Sequence, residues 1–354
     1  MKLISQIDHL HDKKVLVRVD FDVPVNDQGN IEEVYRITSQ KENIDFLVGR
    51  GARVHLISHI ASIDSFEPIL GQLQELLGRH INFVKDLHDY AQADCGGGVC
   101  LLENIRSWPG EKNNDSDFAS QLAQGFDLYV NNAFAVCHRA HASVSAITGL
   151  LPSYAGLLVE KEVRELSKAI SAPIEGKVII MGGAKAETKV PVVKNFLEKS
   201  EKIIIGGILA NDILKSRGVD VSNVDEDYSR LLEGLNTNDD RLVLPEDYNM
   251  RDGNILDIGL ATIQKFQQAM SDAQFVIWNG PLGLFEEKEH EEGTKAMVEY
   301  LSQQSFYRLV GGGDTVKAIS KYSSLDKFNF VSTGGGAMLY FLAGQKLPGL
   351  EALM

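Results

Sequence analysis

The chain has 354 residues with 44% hydrophobic and 24% charged side chains, an ordinary globular composition, and its length predicts two domains. Its formal net charge of −14 argues against a nucleic-acid partner, which would require a basic face. The sequence contains neither the apolar segment of a signal peptide nor an apolar run that could span a bilayer, so it predicts a cytoplasmic protein without a membrane partner.

The first half alternates short apolar runs with helical patterns. Strands are predicted at 15–21, 53–58, 81–84, 99–103 and 128–132, and helices at about 38–49, 68–78 and 117–124. A break follows near 150–176 and contains a further helix at about 159–170.

The second half repeats this plan. Strands are predicted at 178–181, 202–206, 241–244, 274–278, 307–310 and 328–332, and helices near 190–199, 210–216, 259–271, 293–303 and 315–321. Strict alternation of strands and helices indicates parallel sheets with helices on both faces. Because so many strands exceed one ordinary sheet, the sequence predicts an α/β fold of two doubly wound parallel-sheet (Rossmann-like) domains joined by a helical hinge.

Polar side chains follow the predicted strands of the first half. They are Asp20, Asp22, Arg36, His59, Arg106 and Arg139. Three arginines and a histidine at one sheet edge indicate a site for a small polyanion, because guanidinium groups match carboxylate and phosphate. Each arginine could instead form a surface ion pair, and the two aspartates could cap a strand end.

Glycine turns follow the strands of the second half, at 182–183, 206–207, 280, 311–313 and 334–336. Backbone N–H groups at such turns attract phosphate, so five turns at one sheet edge predict nucleotide or phosphate binding. Neither a Gly-x-Gly-x-x-Gly motif nor a Walker motif is present. Asp314, directly after three glycines, is a candidate Mg²⁺ ligand, a helix N-cap, or both.

The stretch 178–189 combines a buried strand, a two-glycine turn and two lysines, Lys185 and Lys189. We expect it to lead into a helix whose first turn contains Pro191. This arrangement can present N–H groups and cations to phosphate, although an ordinary strand–helix turn with solvated lysines fits equally well.

Two of the three cysteines, Cys95 and Cys100, flank a run of three glycines and a valine; the third is Cys137. The spacing predicts two reduced thiols beside a turn. A metal site there would need two more ligands, and none is near in sequence.

Segments along nearly the whole chain carry a family resemblance. They include VLVRVDFDVP at 15–24, LLENIR at 101–106, YVNNAFAVCHRAHAS at 129–143, MGGAKAETK at 181–189, WNGPLGLFE at 278–286, GGGDT at 311–315 and STGGGA at 332–337. In this order, they resemble the phosphoglycerate kinases.

The resemblance implies a 3-phosphoglycerate domain at 1–155, a hinge helix at 156–172 and a nucleotide-binding domain at 173–337, with a tail at 338–354 that packs back on the first domain. It implies a monomer that transfers a phosphoryl group reversibly between Mg-ATP and the carboxylate of 3-phosphoglycerate, giving 1,3-bisphosphoglycerate and ADP in glycolysis or gluconeogenesis. Closure of the domains would exclude water, and no general base is required, because the attacking carboxylate loses no proton.

The resemblance also implies roles for the strand-end residues of the first half. Arg36 would hold the carboxylate and the phosphoryl group in flight. The other substrate-binding residues would be Asp20, Phe21 and Asp22 at the glycerate end, and His59, Arg106 and Arg139 at the 3-phosphate.

In the second half, the resemblance implies that Lys185 and Gly335 act with Arg36 on the transferring phosphoryl group. The other nucleotide-binding residues would be Lys189, Gly207, Gly312, Gly313 and Thr315 around the phosphates, Pro281 and Leu284 at adenine, Glu286 at ribose, and Asp314 at Mg²⁺.

Several positions depart from the family pattern. Ser62 stands where an arginine would help to hold the 3-phosphate, Asp22 replaces a neutral asparagine, and Ile208 replaces a glycine beside the adenine slot. The first two changes predict a weakened affinity for 3-phosphoglycerate. Two alternatives are a kinase of the same fold for another carboxylate, and a non-catalytic nucleotide-binding paralogue.

Overall fold

The structure, a computed structural model, describes all residues from Met1 to Met354. They form two compact units, one made of 1–164 with 346–354 and the other of 165–345. Residues 338–345, which we expected in the tail, lie in the second unit. None of the helices has the length together with the apolar character that crossing a lipid bilayer requires.

The first unit contains a six-stranded sheet. Its strands are β1 (Lys14–Arg18), β2 (Arg53–Ile57), β3 (Ile81–Val84), β4 (Val99–Leu102), β5 (Leu128–Asn131) and β6 (Ser153–Ala155). They lie in the order β3-β4-β2-β1-β5-β6, and every neighbouring pair is parallel. The helices are α1 (Tyr35–Thr38), α2 (Lys41–Gly49), α3 (Leu70–Leu77), α4 (Leu87–Tyr90), α5 (Pro109–Lys112), α6 (Ser116–Ala123) and the start of α7 (Leu157–Ser171), within which the boundary between the units falls.

Helices cover both faces of this sheet. Val15 and Val17 of β1 pack in one cluster with Leu73 of α3, whereas Leu16 packs in another with Phe118 of α6. Alternate residues of a strand point to opposite faces, so a strand covered on both faces is apolar throughout. This explains why uninterrupted apolar runs predicted β1 to β5 correctly. The three-residue edge strand β6 was missed, because it lies inside the break expected near 150–176.

The second unit contains another six-stranded sheet and a hairpin. Its strands are β7 (Lys177–Met181), β8 (Lys202–Ile205), β9 (Leu242–Val243), β10 (Tyr248–Arg251), β11 (Asn254–Ile258), β12 (Phe275–Asn279), β13 (Tyr307–Gly311) and β14 (Phe330–Ser332). The sheet order is β14-β13-β12-β7-β8-β9, again parallel throughout, whereas β10 and β11 pair antiparallel. The predicted α/β class with two doubly wound parallel sheets is confirmed.

The helices of the second unit follow its strands. They are α8 (Ala186–Phe196), α9 (Gly207–Ser216), α10 (Tyr228–Leu231), α11 (Leu260–Gln268), α12 (Glu292–Ser302), α13 (Gly313–Tyr322) and α14 (Gly336–Leu342). The last helix, α15 (Pro348–Glu351), belongs to the first unit, where the N–H of Gly349 donates to the carbonyl of Cys137 at 2.9 Å.

The prediction of strict strand–helix alternation is wrong at the β10–β11 hairpin. Its turn contains Asp252 and Gly253, which both have positive φ angles, 52° and 78°. An Asp-Gly pair favours such a two-residue hairpin turn, so the sequence did contain a signal. The residues of β10 are mostly exposed and of mixed type, so the sequence pattern did not indicate strands on the two sides of this turn.

The prediction that Pro191 lies in the first turn of a helix is also wrong. The two-glycine turn is tight enough for α8 to begin at Ala186, directly after Lys185, so Pro191 lies inside the helix. Because proline has no N–H, Pro191 removes only one backbone hydrogen bond, the one to the carbonyl of Glu187 in the first turn of the helix.

Cys95 and Cys100 are joined by a disulfide rather than being two reduced thiols. Gly96 and Gly97 both have positive φ angles, 55° and 77°, so the loop turns back on itself. The two cysteine Cα atoms are thereby 5.0 Å apart, a separation that a disulfide bridges. Cys137 is buried and free.

Candidate active site

The carboxyl ends of the first sheet carry the predicted acceptor residues. Asp20 and Asp22 follow β1, and His59 follows β2. Arg106 lies in a 3-10 turn after β4, and Arg139 follows β5. Since all these strands are parallel, their carboxyl ends lie along one edge of the sheet.

Arg36 lies beside both aspartates. Its Nε is 3.7 Å from Asp20 Oδ2, and its Nη1 donates to the backbone carbonyl of Asp22 at 2.5 Å. Between the aspartates, Phe21 is fully buried and its backbone N–H donates to Ser58 Oγ. The side chain of Phe21 therefore positions its neighbours instead of facing a ligand.

A buried network joins Arg18, His59 and Asp22. Arg18 Nη2 lies 2.9 Å from His59 Nδ1, and His59 Nε2 lies 3.2 Å from Asp22 Oδ2. A guanidinium can only donate, so Nδ1 accepts and the neutral ring must carry its proton on Nε2, which donates to Asp22. Burial lowers the pKa of His59, which agrees with a neutral ring.

The Asp22 carboxylate has a second donor in the N–H of Ala61, which lies 2.8 Å from Oδ1. Burial alone would raise the pKa of Asp22, but the hydrogen bonds from His59 and Ala61 and the charge of Arg36 outweigh it and hold the pKa well below its ordinary value. Asp22 is thus ionised, and it accepts the hydrogen bond from the only N–H of the neutral His59 ring. The predicted phosphate-binding role of His59 requires that this hydrogen bond break.

Two polar atoms at this edge are buried without a hydrogen-bond partner, Asp20 Oδ2 and Arg106 Nε. Burial, followed by the charge of the nearby Arg139, lowers the pKa of Arg106. Guanidinium groups that repel each other, together with unsatisfied buried atoms, are typical of a site that is completed by a bound anion.

Arg18 is a site residue that the sequence analysis missed. It is 1% exposed, and its Nε donates to Ser143 Oγ, which in turn donates to Oε1 of the fully buried Glu111. The only sequence signal was a charged residue inside the apolar run 15–19, because a buried charge must be paired.

In the second unit, the turns after β7 and β12 meet where the strand order reverses. The N–H of Gly182 donates to the backbone carbonyl of Asn279 at 2.9 Å, and that of Gly183 donates to the backbone carbonyl of Pro281 at 2.7 Å. A Cβ atom on Gly207 would lie 2.4 Å from the nitrogen of Gly183, so no larger residue fits at position 207. Open parallel sheets bind ligands at such a reversal.

A cleft of about 230 Å³ opens beside these turns. Of the residues predicted to bind nucleotide, five line this cleft: Gly207, Pro281, Leu284, Glu286 and Asp314. Ile208 also lines the cleft, in keeping with the predicted narrowing of an adenine slot, which stays a prediction. Leu256 of β11 lines it too and was missed together with the hairpin.

The two lysines after β7 differ in exposure. Lys185 is exposed and precedes α8, whereas Lys189 is 5% exposed and its Nζ donates to the Lys185 carbonyl at 3.1 Å. Burial lowers the pKa of Lys189 to about 8, although the charges of Glu187 and Asp314 oppose the shift.

If Lys189 binds nucleotide phosphates, as the resemblance implies, this shift predicts that binding weakens at alkaline pH. Lys189 loses its charge as the pH rises through about 8, so the dissociation constant of Mg-ADP should rise about tenfold between pH 7 and pH 9. Isothermal titration calorimetry at the two pH values measures this rise. Lys189→Arg, which stays charged, should flatten the dependence, and an unchanged slope in that variant would contradict the role of Lys189.

Asp314 is the second residue of α13, whose N-cap is Gly312 with a φ of 101°, so the N-cap alternative for Asp314 is wrong. Gly313 begins the helix. Thr315 is fully buried, and its Oγ1 accepts a hydrogen bond from the N–H of Gly280 at 2.7 Å. Thr315 therefore holds the turn after β12. Its side chain could make the predicted phosphate contact only by donating its hydroxyl proton.

Gly335 is the N-cap of α14 and has a φ of 39°. The preceding N–H, that of Gly334, donates to Ser332 Oγ at 3.0 Å, which fixes the turn after β14. The N-terminus of α14 therefore opens at the same sheet edge as that of α13, where backbone N–H groups attract anions.

The sequence profile of the phosphoglycerate kinase family matches residues 4–345. The chain belongs to this family. The phosphoglycerate kinase of Thermosynechococcus vestitus is 39% identical, over 99% of this chain and 98% of the relative, and that of Geotalea daltonii is 38% identical over the same shares. Among solved structures, phosphoglycerate kinase from Coxiella burnetii aligns with a TM-score of 0.83 and 30% identity, covering 99% of this chain and 98% of the other. The enzyme from Pyrococcus horikoshii aligns with a TM-score of 0.88 and 27% identity, covering 100% and 98%.

The loop around Ser62 is where the sequence is expected to depart from the pattern that the resemblance implies. Ser62 is exposed, and its Oγ donates to the carbonyl of Val23 at 2.8 Å. The side chain at position 62, where the resemblance implies an arginine, is thus not a cation. Asp22 adds a carboxylate nearby, which is hydrogen-bonded to the same loop through Ala61.

Proposed function

We propose that the chain transfers a phosphoryl group reversibly between Mg-ATP and the carboxylate of 3-phosphoglycerate, giving ADP and 1,3-bisphosphoglycerate. The first unit binds the acceptor and the second unit binds the nucleotide. We propose further that it works as a monomer in the cytoplasm. Membership of the phosphoglycerate kinase family over residues 4–345 supports the reaction.

The observation that carries the acceptor assignment is the set of unsatisfied groups after β1 and β4. Arg106 and Arg139 repel each other, so a 3-phosphate that binds both relieves the repulsion. Asp20 Oδ2 lacks a donor, which a hydroxyl of the glycerate supplies. Arg36, beside Asp20, holds the substrate carboxylate with its fork of donors.

On the nucleotide side, the cleft beside the β7 and β12 turns takes the adenine between Pro281, Leu284 and Ile208. Lys185 and Lys189 neutralise the phosphates, together with the backbone N–H groups at the start of α13 and at Gly335. Asp314 is an exposed carboxylate on the wall of this cleft, which fits a Mg²⁺ ligand. Bound Mg²⁺ would neutralise phosphate charge there.

The chemistry asks the protein for alignment and charge neutralisation rather than proton transfer. The acceptor carboxylate is already ionised, so it attacks phosphorus without a general base. Arg36 in the first unit supplies a cation to the acceptor, and Lys185 in the second unit supplies one to the nucleotide phosphates. In keeping with this, we assign no histidine a proton-transfer role.

A coupled assay of ADP formation from ATP and 3-phosphoglycerate tests the proposal. We expect turnover that requires both substrates, with a high KM for 3-phosphoglycerate because of Asp22 and Ser62. Absence of turnover at saturating substrates would refute it. Turnover with a different carboxylic acid from a panel would identify another acceptor, and nucleotide binding alone would identify a non-catalytic paralogue.

The metal assignment has its own prediction. Asp314→Asn should raise the Mg²⁺ concentration for half-maximal rate by about tenfold or more, since even the outer-shell partners of a metal contribute about 10–100-fold to affinity. Rate measurements over a Mg²⁺ titration check this, with Asp326→Asn as a control for loss of an exposed carboxylate. An unchanged Mg²⁺ dependence in Asp314→Asn would remove Asp314 from the metal site.

A further inference from the structure

A second cluster of reactive side chains lies in the first unit, away from the acceptor residues. It consists of His55 on β2, Cys100 on β4 and Cys95 in the preceding loop. A cavity of about 690 Å³ beside it is lined by Lys14 and Arg53, the first residues of β1 and β2. The cluster is thus reached from the amino-terminal edge of the sheet, whereas the acceptor residues follow the carboxyl ends of the strands.

Sheet register brings the cluster together. His55 and Cys100 are directly paired across β2 and β4, so their side chains point to the same face of the sheet. The loop turn at Gly96 and Gly97 then returns Cys95 to the same place. One candidate ligand atom from each of the three residues lies within 4.8 Å of the others.

The distances suit coordination better than hydrogen bonding. His55 Nε2 lies 3.8 Å from Cys95 Sγ. In a tetrahedral site with Zn–S near 2.3 Å and Zn–N near 2.0 Å, neighbouring sulfur and nitrogen ligands are about 3.5 Å apart. The His55–Cys95 distance is thus close to that of a metal site, and the two sulfurs, bonded to each other in the structure, must separate to about 3.8 Å to complete it.

The imidazole is held in a fixed orientation. His55 is 1% exposed, and the rings of Tyr90 and Phe126 pack edge-on against it at 5.2 and 5.1 Å. Its Nδ1 lies 3.4 Å from the backbone carbonyl of Arg53. A proton on Nδ1 that points to this carbonyl leaves Nε2 unprotonated, the usual tautomer of a metal-binding histidine. Cys95 Sγ lies beside the ring, 3.8 Å from Nε2 and 3.9 Å from Nδ1.

We propose that the reduced protein binds one Zn²⁺ ion through Cys95 Sγ, Cys100 Sγ and His55 Nε2, with the fourth position open to the cavity. Two thiolates and an imidazole are a soft donor set that selects zinc over magnesium. Binding releases two protons, one from each thiol, and leaves the centre without net charge.

The disulfide seen in the structure is the form that cannot bind the metal. A dithiol or a phosphine must first supply two electrons, which cleave the S–S bond and convert the two sulfurs to thiols, while the reductant becomes a disulfide or a phosphine oxide. The site is therefore available only under reducing conditions.

Cobalt provides the test, since thiolate-bound Co²⁺ gives an intense near-ultraviolet charge-transfer band that carboxylate-bound Co²⁺ does not. The full chain is reduced with a phosphine, freed of metal and titrated with Co²⁺, and Zn²⁺ is then added. We expect the band to appear, Zn²⁺ to abolish it, and one zinc ion per chain to remain after desalting.

Two variants separate this cluster from other sites. Cys95→Ser should lose both the band and the bound zinc, whereas Cys137→Ser, which changes the buried cysteine outside the cluster, should keep them. Oxidation of the parent chain with diamide should release the zinc. Absence of the band in the reduced parent chain, or a band that survives in Cys95→Ser, would overturn the proposal.

Discussion

Replacing Arg36 with glutamine is expected to lower kcat about 1,000-fold, the size of effect seen when an arginine that stabilises a transferring phosphoryl group is removed. The guanidinium lies 3.7 Å from Asp20 and is anchored to the carbonyl of Asp22. In the reaction we propose, it would lie at the acceptor carboxylate, where negative charge accumulates during transfer. The KM for Mg-ATP should change little, because Arg36 belongs to the acceptor side.

The control for this prediction is Arg53→Gln. Arg53 is an exposed arginine at the amino end of β2, where it pairs with Asp12, so its loss should leave kcat unchanged. Arg36→Lys should recover only part of the rate, since lysine restores the charge but not the two-pronged geometry. Thermal unfolding of each variant reports whether the fold survives. A folded Arg36→Gln protein with near-normal kcat would exclude Arg36 from catalysis.

The double change Asp22→Asn with Ser62→Arg should lower the KM for 3-phosphoglycerate about 10–100-fold, the value of one or two charge-assisted contacts. An asparagine oxygen cannot serve both Ala61 and His59 as the two carboxylate oxygens do. The Nε2 proton of His59 is then released toward the phosphate, and arginine at 62 adds a cation on an exposed loop.

Steady-state kinetics on each single variant and on the pair measure the effect. Asp64→Asn, which removes an exposed carboxylate from the same loop, should not change the KM and controls for the general loss of negative charge. If the double variant keeps the parent KM, neither Asp22 nor Ser62 limits the affinity, and the acceptor pocket must be assigned to other residues.

The architecture was largely predictable because the sheets are covered on both faces. Apolar runs such as that of β1 are required by burial, and the glycine turns are required where backbones meet, as at Gly207 and Gly183. The hairpin β10–β11 was missed because β10 is largely exposed and lacks that apolar signature. The start of α8 was misplaced because Pro191 suggested a helix beginning that the glycine turn had already supplied.

The identities of the candidate site residues could be proposed from the sequence, but not their partners. The sequence suggested that Asp22 would repel an anionic substrate. The structure adds that Asp22 is bound by His59, which is in turn bound by Arg18, a residue that the sequence analysis did not assign to the site. Such a network depends on which strands are neighbours, and no local pattern encodes that.

By itself, the sequence determined the fold class, the family and the residue types at the two sheet edges, because burial periodicity and turn chemistry act over a few residues. Only the tertiary structure decided which distant groups meet. The pairing of β2 with β4 placed His55 opposite Cys100, and the parallel β1 and β2 placed Asp22 beside His59. Contacts of this kind depend on strand order and register, which are fixed by the packing of the whole sheet rather than by any one segment.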